Sequence, residues 1–477
     1  MKSLATGLSF RLPRLKCIPR NFERYIHGEW IDRNPLPVET EFQDNRLHVS
    51  HNYKESLRII VPWEIEGLGV FFLKTVSLPK SDQPYDLVLE LARGTVGRLV
   101  DQTENWKAGG LNLSGELENQ LSLVKRNFQR ATFCSGDERF QFAMVAIGAS
   151  IHLMNQVGSW FAQFVFEYRK QEKQPNTALL GAPYYETDES SLTPYSQIFN
   201  ASLIDVNSLV QPSENIDSTL EVCDRLHKQG LTSCSAPMIK FREFETTEFE
   251  SIDTAEEWML NECTRQLDLG LRKCKLLMPV SNLGYRRPAG WNDQEQIHLT
   301  YELFVDLKSQ LPQTPLVVGI DQPFGESQIN GTGKTPLQLA DNLIRMETPI
   351  AAFCLEINLG YYPDGTWIRD LFAFNDLLDS WAQFDYPLVV QLRIPGGVQS
   401  REDIEGDHYV AAGYDSQASW LEKIAMLAIA KQNVAGVFYA QVFDQPEDNF
   451  FGAGLISTQK HEKPAMDAIR RVRQSMA

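Results

Sequence analysis

From residue 177 onward, short apolar runs alternate with longer stretches in which apolar positions recur at helical spacing. The runs occupy residues 178–184, 201–206, 231–239, 275–280, 316–320, 351–357, 388–394 and 435–443. Each is too short for a helix and nearly continuous in apolar residues, the composition of a strand covered on both faces. Eight such units within about 300 residues predict a (β/α)8 TIM barrel, since these barrels run to roughly 250 residues plus insertions. In such barrels the chemistry gathers at the carboxyl ends of the strands, so the residues closing each run are the ones to weigh.

Ahead of the barrel the periodicity differs. Residues 57–61 and 69–76, separated by Gly67 and Gly69, read as strands. After Pro84 the spacing of Leu87, Leu91, Val96 and Leu99 becomes helical. Ser114 suits an N-cap with Glu116 and Glu118 in the first turn, where negative charge complements the helix dipole. Leu117 at the third helical position leaves the reciprocal capping box incomplete. Residues 138–169 carry one long helical pattern, and a polar stretch at 170–176 precedes the first barrel run. The expected class is therefore α/β. A β-rich N-terminal domain (1–110) and a helical connector (111–176) lead into a barrel domain (177–477). The run 85–97, with Glu90, Arg93 and Gly94, reads as a packing helix. Trp63 and Trp106 can serve as sugar platforms or as core, and core is the commoner use of a single tryptophan. Gly-Thr-Gly-Lys-Thr at 331–335 lacks the phosphate-loop spacing and reads as a loop.

Composition narrows the partners. The 477 residues carry a formal charge of −17, which argues against nucleic acid, because phosphate neutralisation needs clustered Lys and Arg. No apolar stretch approaches the ~20 residues needed to span a bilayer, and residues 1–22 lack the apolar segment of a secretion signal. Seven cysteines without a C-x-x-C pair suit buried thiols in a reducing compartment, so a cytoplasmic location is expected. None of the eight histidines closes a run beside a second ligand, and no metal or other cofactor is expected.

Carboxylates do close the runs. The fifth leads into Asp321, Gln322 and Glu326, and the sixth carries Glu356. Strand alternation puts Phe353, Leu355 and Ile357 on one face and Cys354, Glu356 and Asn358 on the other. A glutamate does not face an apolar helix layer unpartnered, which points Glu356 into the barrel mouth. Neighbouring fifth and sixth strands then bring Glu326 and Glu356 to about 5–10 Å, the separations used by retaining and inverting glycosidases. The alternative is a structural ion pair between Glu356 and Arg393 on the next strand. Asn282, Tyr285, Gln322, Tyr361, Gln391, Arg393 and Gln441 also close runs or the loops after them, as does Tyr185. Together they predict a polar cleft with aromatic surfaces for a neutral hydroxylated ligand.

Ser-Gln-Ala-Ser-Trp at 416–420, the run 434–444, Gly452 to Leu455 and Lys-Pro-Ala at 463–465 resemble the C-terminal end of glycoside hydrolase family 10, the xylanase family. The resemblance implies an oligosaccharide or polysaccharide ligand and hydrolysis of β-linked, xylan-type glycans by two glutamates on strands four and seven. Those positions hold Leu283 and Gln391 here, and Ala440 stands where the family has a tryptophan. Hydrolysis would then rest on the displaced pair Glu326 and Glu356. The alternative is a barrel that kept a sugar-binding cleft without the reaction. A third class, a phosphate-using lyase or isomerase barrel, has only Gly396 and Gly397 after strand seven in its favour.

Overall fold

The computed structural model describes residues 7–12, 25–30, 35–43, 45–51, 55–184, 189–206, 217–243, 249–284, 292–326, 333–362, 364–396, 414–445 and 450–477. Among the described residues, eight short strands precede the helices: β1 (Gly7–Arg11), β2 (His27–Glu29), β3 (Pro35–Leu36), β4 (Glu39–Gln43), β5 (Arg46–Ser50), β6 (Arg58–Ile65), β7 (Gly69–Lys74) and β8 (Tyr85–Asp86). They form two four-stranded sheets, ordered β4-β5-β1-β8 and β3-β2-β6-β7. Gly67 and Gly69, at φ 77° and 95°, turn the β6–β7 hairpin through backbone angles that a side chain resists. Trp63 on β6 is fully buried and donates its indole N–H to the Met144 sulfur at 3.2 Å, so it is core and not a platform.

Three helices follow: α1 (Leu87–Ala108), α2 (Gly115–Phe133) and α3 (Gly136–Gln171). Asp86 caps α1 by accepting from the Leu89 N–H at 3.2 Å, and Ser114 caps α2 from Leu117 at 3.3 Å. Gly94 explains the 85–97 run: a Cβ there would sit 1.9 Å from the Lys74 carbonyl oxygen, so α1 can lie on β7 only with glycine at the crossing. Trp106 stacks on Phe161 with centroids 4.2 Å apart and is likewise core. Arg169 near the end of α3 donates to the carbonyls of Ile429 and Ala430 at 2.8 and 2.9 Å, closing the end of the helix Tyr414–Ala430 on the barrel's outer layer.

The barrel strands are β9 (Leu179–Pro183), β10 (Ala201–Ile204), β11 (Thr232–Ser235), β12 (Ile239–Lys240), β13 (Leu277–Leu283), β14 (Leu316–Asp321), β15 (Ala352–Asn358), β16 (Leu388–Arg393) and β17 (Val434–Tyr439). All pair in parallel, in the order β11-β10-β9-β17-β16-β15-β14-β13-β12. A parallel bridge between Cys234 on β11 and Leu276 closes the ring, so β11 and β12 are two pieces of one third stave. The single run expected at 231–239 is broken because Pro237 has no N–H to place in a ladder. The α/β class and the (β/α)8 barrel read from the sequence are the observed ones.

One apolar core runs without a break from Leu8 on β1 to Val472 in the last helix, Pro464–Ser475. A separate plug fills the barrel's inside, built from Leu203, Cys234, Met278, Val317, Cys354, Val389 and Phe438 among others. Two residues further along each strand the side chain returns to the inside. The layer above the plug therefore includes Asp205, Gly319, Glu356, Gln391 and Ala440, and it is polar where the plug is apolar.

Candidate functional site

Glu356 follows Cys354 by one strand period, which carries its carboxyl to the floor of the barrel mouth with 1% of its surface exposed. The neighbouring strand makes room for it. A Cβ at Gly319 would lie 2.2 Å from Glu356 Oε1 and 2.8 Å from the Ser281 Cβ, so glycine is the one residue that fits beside this carboxyl. Register places Asp321, fully buried, directly across from Glu356 and Gln391 across from Glu356 on the other side.

Asn282 binds the two carboxyls together. Its backbone N–H donates to Glu356 Oε1 at 3.2 Å, and its side-chain amide donates both to Glu356 Oε2 and, at 3.4 Å, to Asp321 Oδ2. One amide nitrogen thus serves both acids, which holds the acceptor oxygens within about 6 Å of each other. Asn282 pays for this position with a left-handed backbone at φ 58°, inside a strand whose register is irregular on either side of Val280. Gln322 is also left-handed, at φ 44°, and its N–H donates to Asp321 Oδ1 at 2.8 Å. Two strained non-glycine residues at the ends of adjacent strands aim donors at one pair of acids.

Arg242 supplies the counter-charge, meeting Asp321 Oδ2 at 2.7 Å. Burial raises the Asp321 carboxyl above its ordinary range, and the Arg242 guanidinium opposes the rise. Glu356 is pushed up to about 7, first by burial and then by the charge of Asp321, against the opposing Asn282 N–H, Arg393 and Arg242. Both buried carboxyls are thus displaced upward, Glu356 to about 7, and the charge of either one favours the proton on the other.

Above this floor lies a cavity of about 710 Å³. Asp205, Lys240, Arg242, Gln391, Arg393 and Asp444 contribute to its wall with Asn282, Gln441 and Phe450. The Phe450 ring takes two guanidinium groups, Arg393 at 4.6 Å and Arg242 at 5.0 Å from its centroid. Arg393 also donates to Asn358 Oδ1 at 2.9 Å, a bond it makes in place of the alternative pair with Glu356. Gln441 donates to the Phe443 carbonyl at 3.1 Å, and Asp444 accepts from Lys463 Nζ at 2.7 Å.

Glu326 goes elsewhere. It is 2% exposed, pairs with Arg369 at 2.9 Å, and is absent from the cavity wall that holds Glu356. Arg369 in turn lies over Phe324 and Phe72, so the pair belongs to the seam between the barrel and β7. Its neighbour Asp370 caps the helix Leu371–Ala382 and pairs with Arg98 of α1. Tyr361 is buried against Phe450 and donates to the Phe451 carbonyl at 2.7 Å, which makes it a support of the wall. Gln322 is buried behind the floor and donates to the Gly365 carbonyl at 3.1 Å. Tyr185 and Tyr285 lie outside the described residues. The 331–335 segment ends in a cap: Thr335 accepts from the Gln338 N–H at 3.2 Å, with Pro336 in the helix's first turn.

Sequence reading singled out neither Arg242 nor the Asp321–Glu356 pairing. Arg242 follows the short β12 in the turn Phe241–Glu243, and a search for basic residues just past each strand would have found it. Asp321 ends a strand, and only the register shows that it stands directly across from Glu356.

No protein-family model matches this chain, and no curated protein does. Solved structures with a similar barrel include xylanase 10B from Thermotoga maritima, 14% identical, at a TM-score of 0.44 over 63% of this chain and 95% of that one. A GH10 protein from Paenibacillus barcinonensis is 15% identical at 0.47, over 62% and 94%. The endo-1,4-beta-xylanase XylE of Penicillium canescens is 14% identical at 0.45, over 64% and 97%. Leu283 and Gln391 stand at the two catalytic positions that the sequence resemblance marks. Values this low leave the chemistry to this chain's own residues.

Proposed function

We propose that the mouth cavity binds a short, neutral, β-linked oligosaccharide of the xylan type, and that Glu356 acts as the acid that protonates the leaving oxygen of a glycosidic bond. The observation that carries this reading is Glu356 itself: a carboxyl at the floor of a cavity of ligand size, pushed up to about 7, and therefore able to give up a proton near neutral pH. The wall suits a sugar, with carboxamides at Asn282, Gln391 and Gln441 and the guanidinium of Arg393 available to hydroxyls. A second carboxylate is needed on the far side of the bond to activate water or capture the anomeric carbon. Asp205 and Asp444 line the same cavity and are the candidates for it. Asp321 stands directly across from Glu356 and acts through it, as a charge that adds to burial in raising the Glu356 carboxyl.

A second reading, sugar binding without turnover, is favoured by Gln391 standing where the resemblance puts a nucleophile. One experiment separates them. Wild type, Glu356→Gln and Glu326→Gln are assayed on aryl β-glycosides and β-linked oligosaccharides. Acid catalysis by Glu356 is expected to show as a loss of about two orders of magnitude in Glu356→Gln on substrates with poor leaving groups, with Glu326→Gln close to wild type. No turnover by folded wild type that still binds sugar leaves the barrel a binding module.

A further inference from the structure

A second cavity, about 720 Å³ in volume, opens far from the barrel mouth. Four sequence-remote segments enclose it: the β6–β7 turn, the first half of α2, the middle of α3 and the start of the helix Tyr414–Ala430. It shares no lining residue with the mouth cavity. Two tryptophans face it, Trp160 from α3 and Trp420 from the barrel helix. Trp160 is 39% exposed, an unusual placement for so large an apolar surface, and its indole N–H is fixed by the Asn112 carbonyl at 2.8 Å. Held that way, the ring is an anchored surface and not a loose side chain.

The rest of the wall tells what would lie on those rings. Carboxamides and hydroxyls recur along it, including Gln120, Gln156, Gln163 and Ser159, and the buried Oε1 of Gln156 meets no hydrogen-bond donor among the described residues. Charge nearly cancels, with Glu116 against Lys423 and a single imidazole at His152. An anion site would need a cluster of cations, and a purely apolar ligand would leave the amides unsatisfied. Rings for stacking beside amides for hydroxyl groups match a neutral polyhydroxylated chain.

We propose that this groove between the helical connector and the barrel is a second, non-catalytic oligosaccharide site, with Trp160 and Trp420 as stacking surfaces and Gln156 as a hydrogen-bond acceptor for a sugar hydroxyl. It is independent of the reading of the mouth. The test uses the full chain, titrated with xylohexaose, cellohexaose, laminarihexaose and maltohexaose while heat and tryptophan fluorescence are recorded. Binding of at least one of these is expected, with a fluorescence change that disappears in Trp160→Ala and an affinity at least tenfold weaker in Gln156→Leu. Both substitutions are expected to leave the mouth untouched, so any turnover or binding sensitive to Arg393→Ala persists in them. Gln156→Leu keeps size and fold, which guards against loss through misfolding, and melting curves of all variants check it. Failure of all four sugars to bind, or binding indifferent to both Trp160→Ala and Gln156→Leu, overturns the proposal. Sugar binding lost only in Arg393→Ala does so too, and would leave the mouth site standing.

Discussion

Replacing Glu356 by glutamine isolates the cost of burying a carboxyl beside Asp321. The group is half-protonated at 4.5 in an open chain and at about 7 in the folded one. Below pH 4.5 both states carry the proton and the site costs nothing. As pH rises from 4.5 to about 7 the unfolded chain releases its proton while the folded one keeps it, so stability falls; above about 7 both are ionised and the cost stays constant. At about 1.4 kcal/mol per pH unit the fall across that window is roughly 3 kcal/mol. Glutamine cannot ionise; its carbonyl keeps one of the two bonds from Asn282, and its amide replaces the oxygen that accepted the other, a cost that does not depend on pH. The variant is therefore expected to differ from wild type by a constant offset near pH 4.5 and to gain on it progressively up to pH 7. An unfolding entropy near 1 kcal/mol/K for a chain of this length turns the full gain into a Tm rise of about 3 °C. Differential scanning calorimetry of the two proteins at pH 5, 6, 7 and 8 reads it directly. Titrations remote from the pair, such as that of His27, which burial lowers to about 4, occur in both proteins and cancel in the difference. A Tm difference that does not change between pH 5 and 8, or one that shrinks, would refute the raised Glu356 carboxyl and with it the acid role.

Three further outcomes follow from the same geometry. Gly319→Ala forces a methyl group to 2.2 Å from Glu356 Oε1, and overpacking of this kind costs about 1–3 kcal/mol in urea unfolding together with whatever turnover wild type shows; an unaltered protein would mean that Glu356 is not held where described. Arg242→Met leaves the buried Asp321 without its cation and is expected to cost about 3–5 kcal/mol, more at pH 8 than at pH 5 because protonation relieves the unpaired charge; equal losses at both pH values would contradict that cause. Gly94→Ala drives a Cβ into the Lys74 carbonyl and is expected to destabilise the seam between α1 and β7 by about 1–3 kcal/mol without altering ligand binding at the mouth, as melting curves and titration calorimetry would report.

Local pattern was enough for the barrel and for one of its key side chains. Strand and helix periods are properties of neighbouring residues, so eight runs announced eight staves, and alternation alone turned Glu356 inward above Cys354. Ser114 and the long α3 were legible for the same reason. The broken third stave needed only more weight on Pro237. Other features depended on residues far apart in the chain. Glu326 lies past the end of β14, beyond the left-handed Gln322, and there the period that orients a strand no longer applies. Its direction is set by Arg369, 43 residues away. Arg242 reaches Asp321 across 79 residues, and Asn282 reaches Glu356 across 74. The second cavity draws on four segments with no shared sequence signal. Periodicity fixes which way a residue in a regular element points, because the backbone repeats; which charge meets which, and which surfaces enclose a space, depends on how the repeating elements come to rest against one another, and only the packed chain decides that.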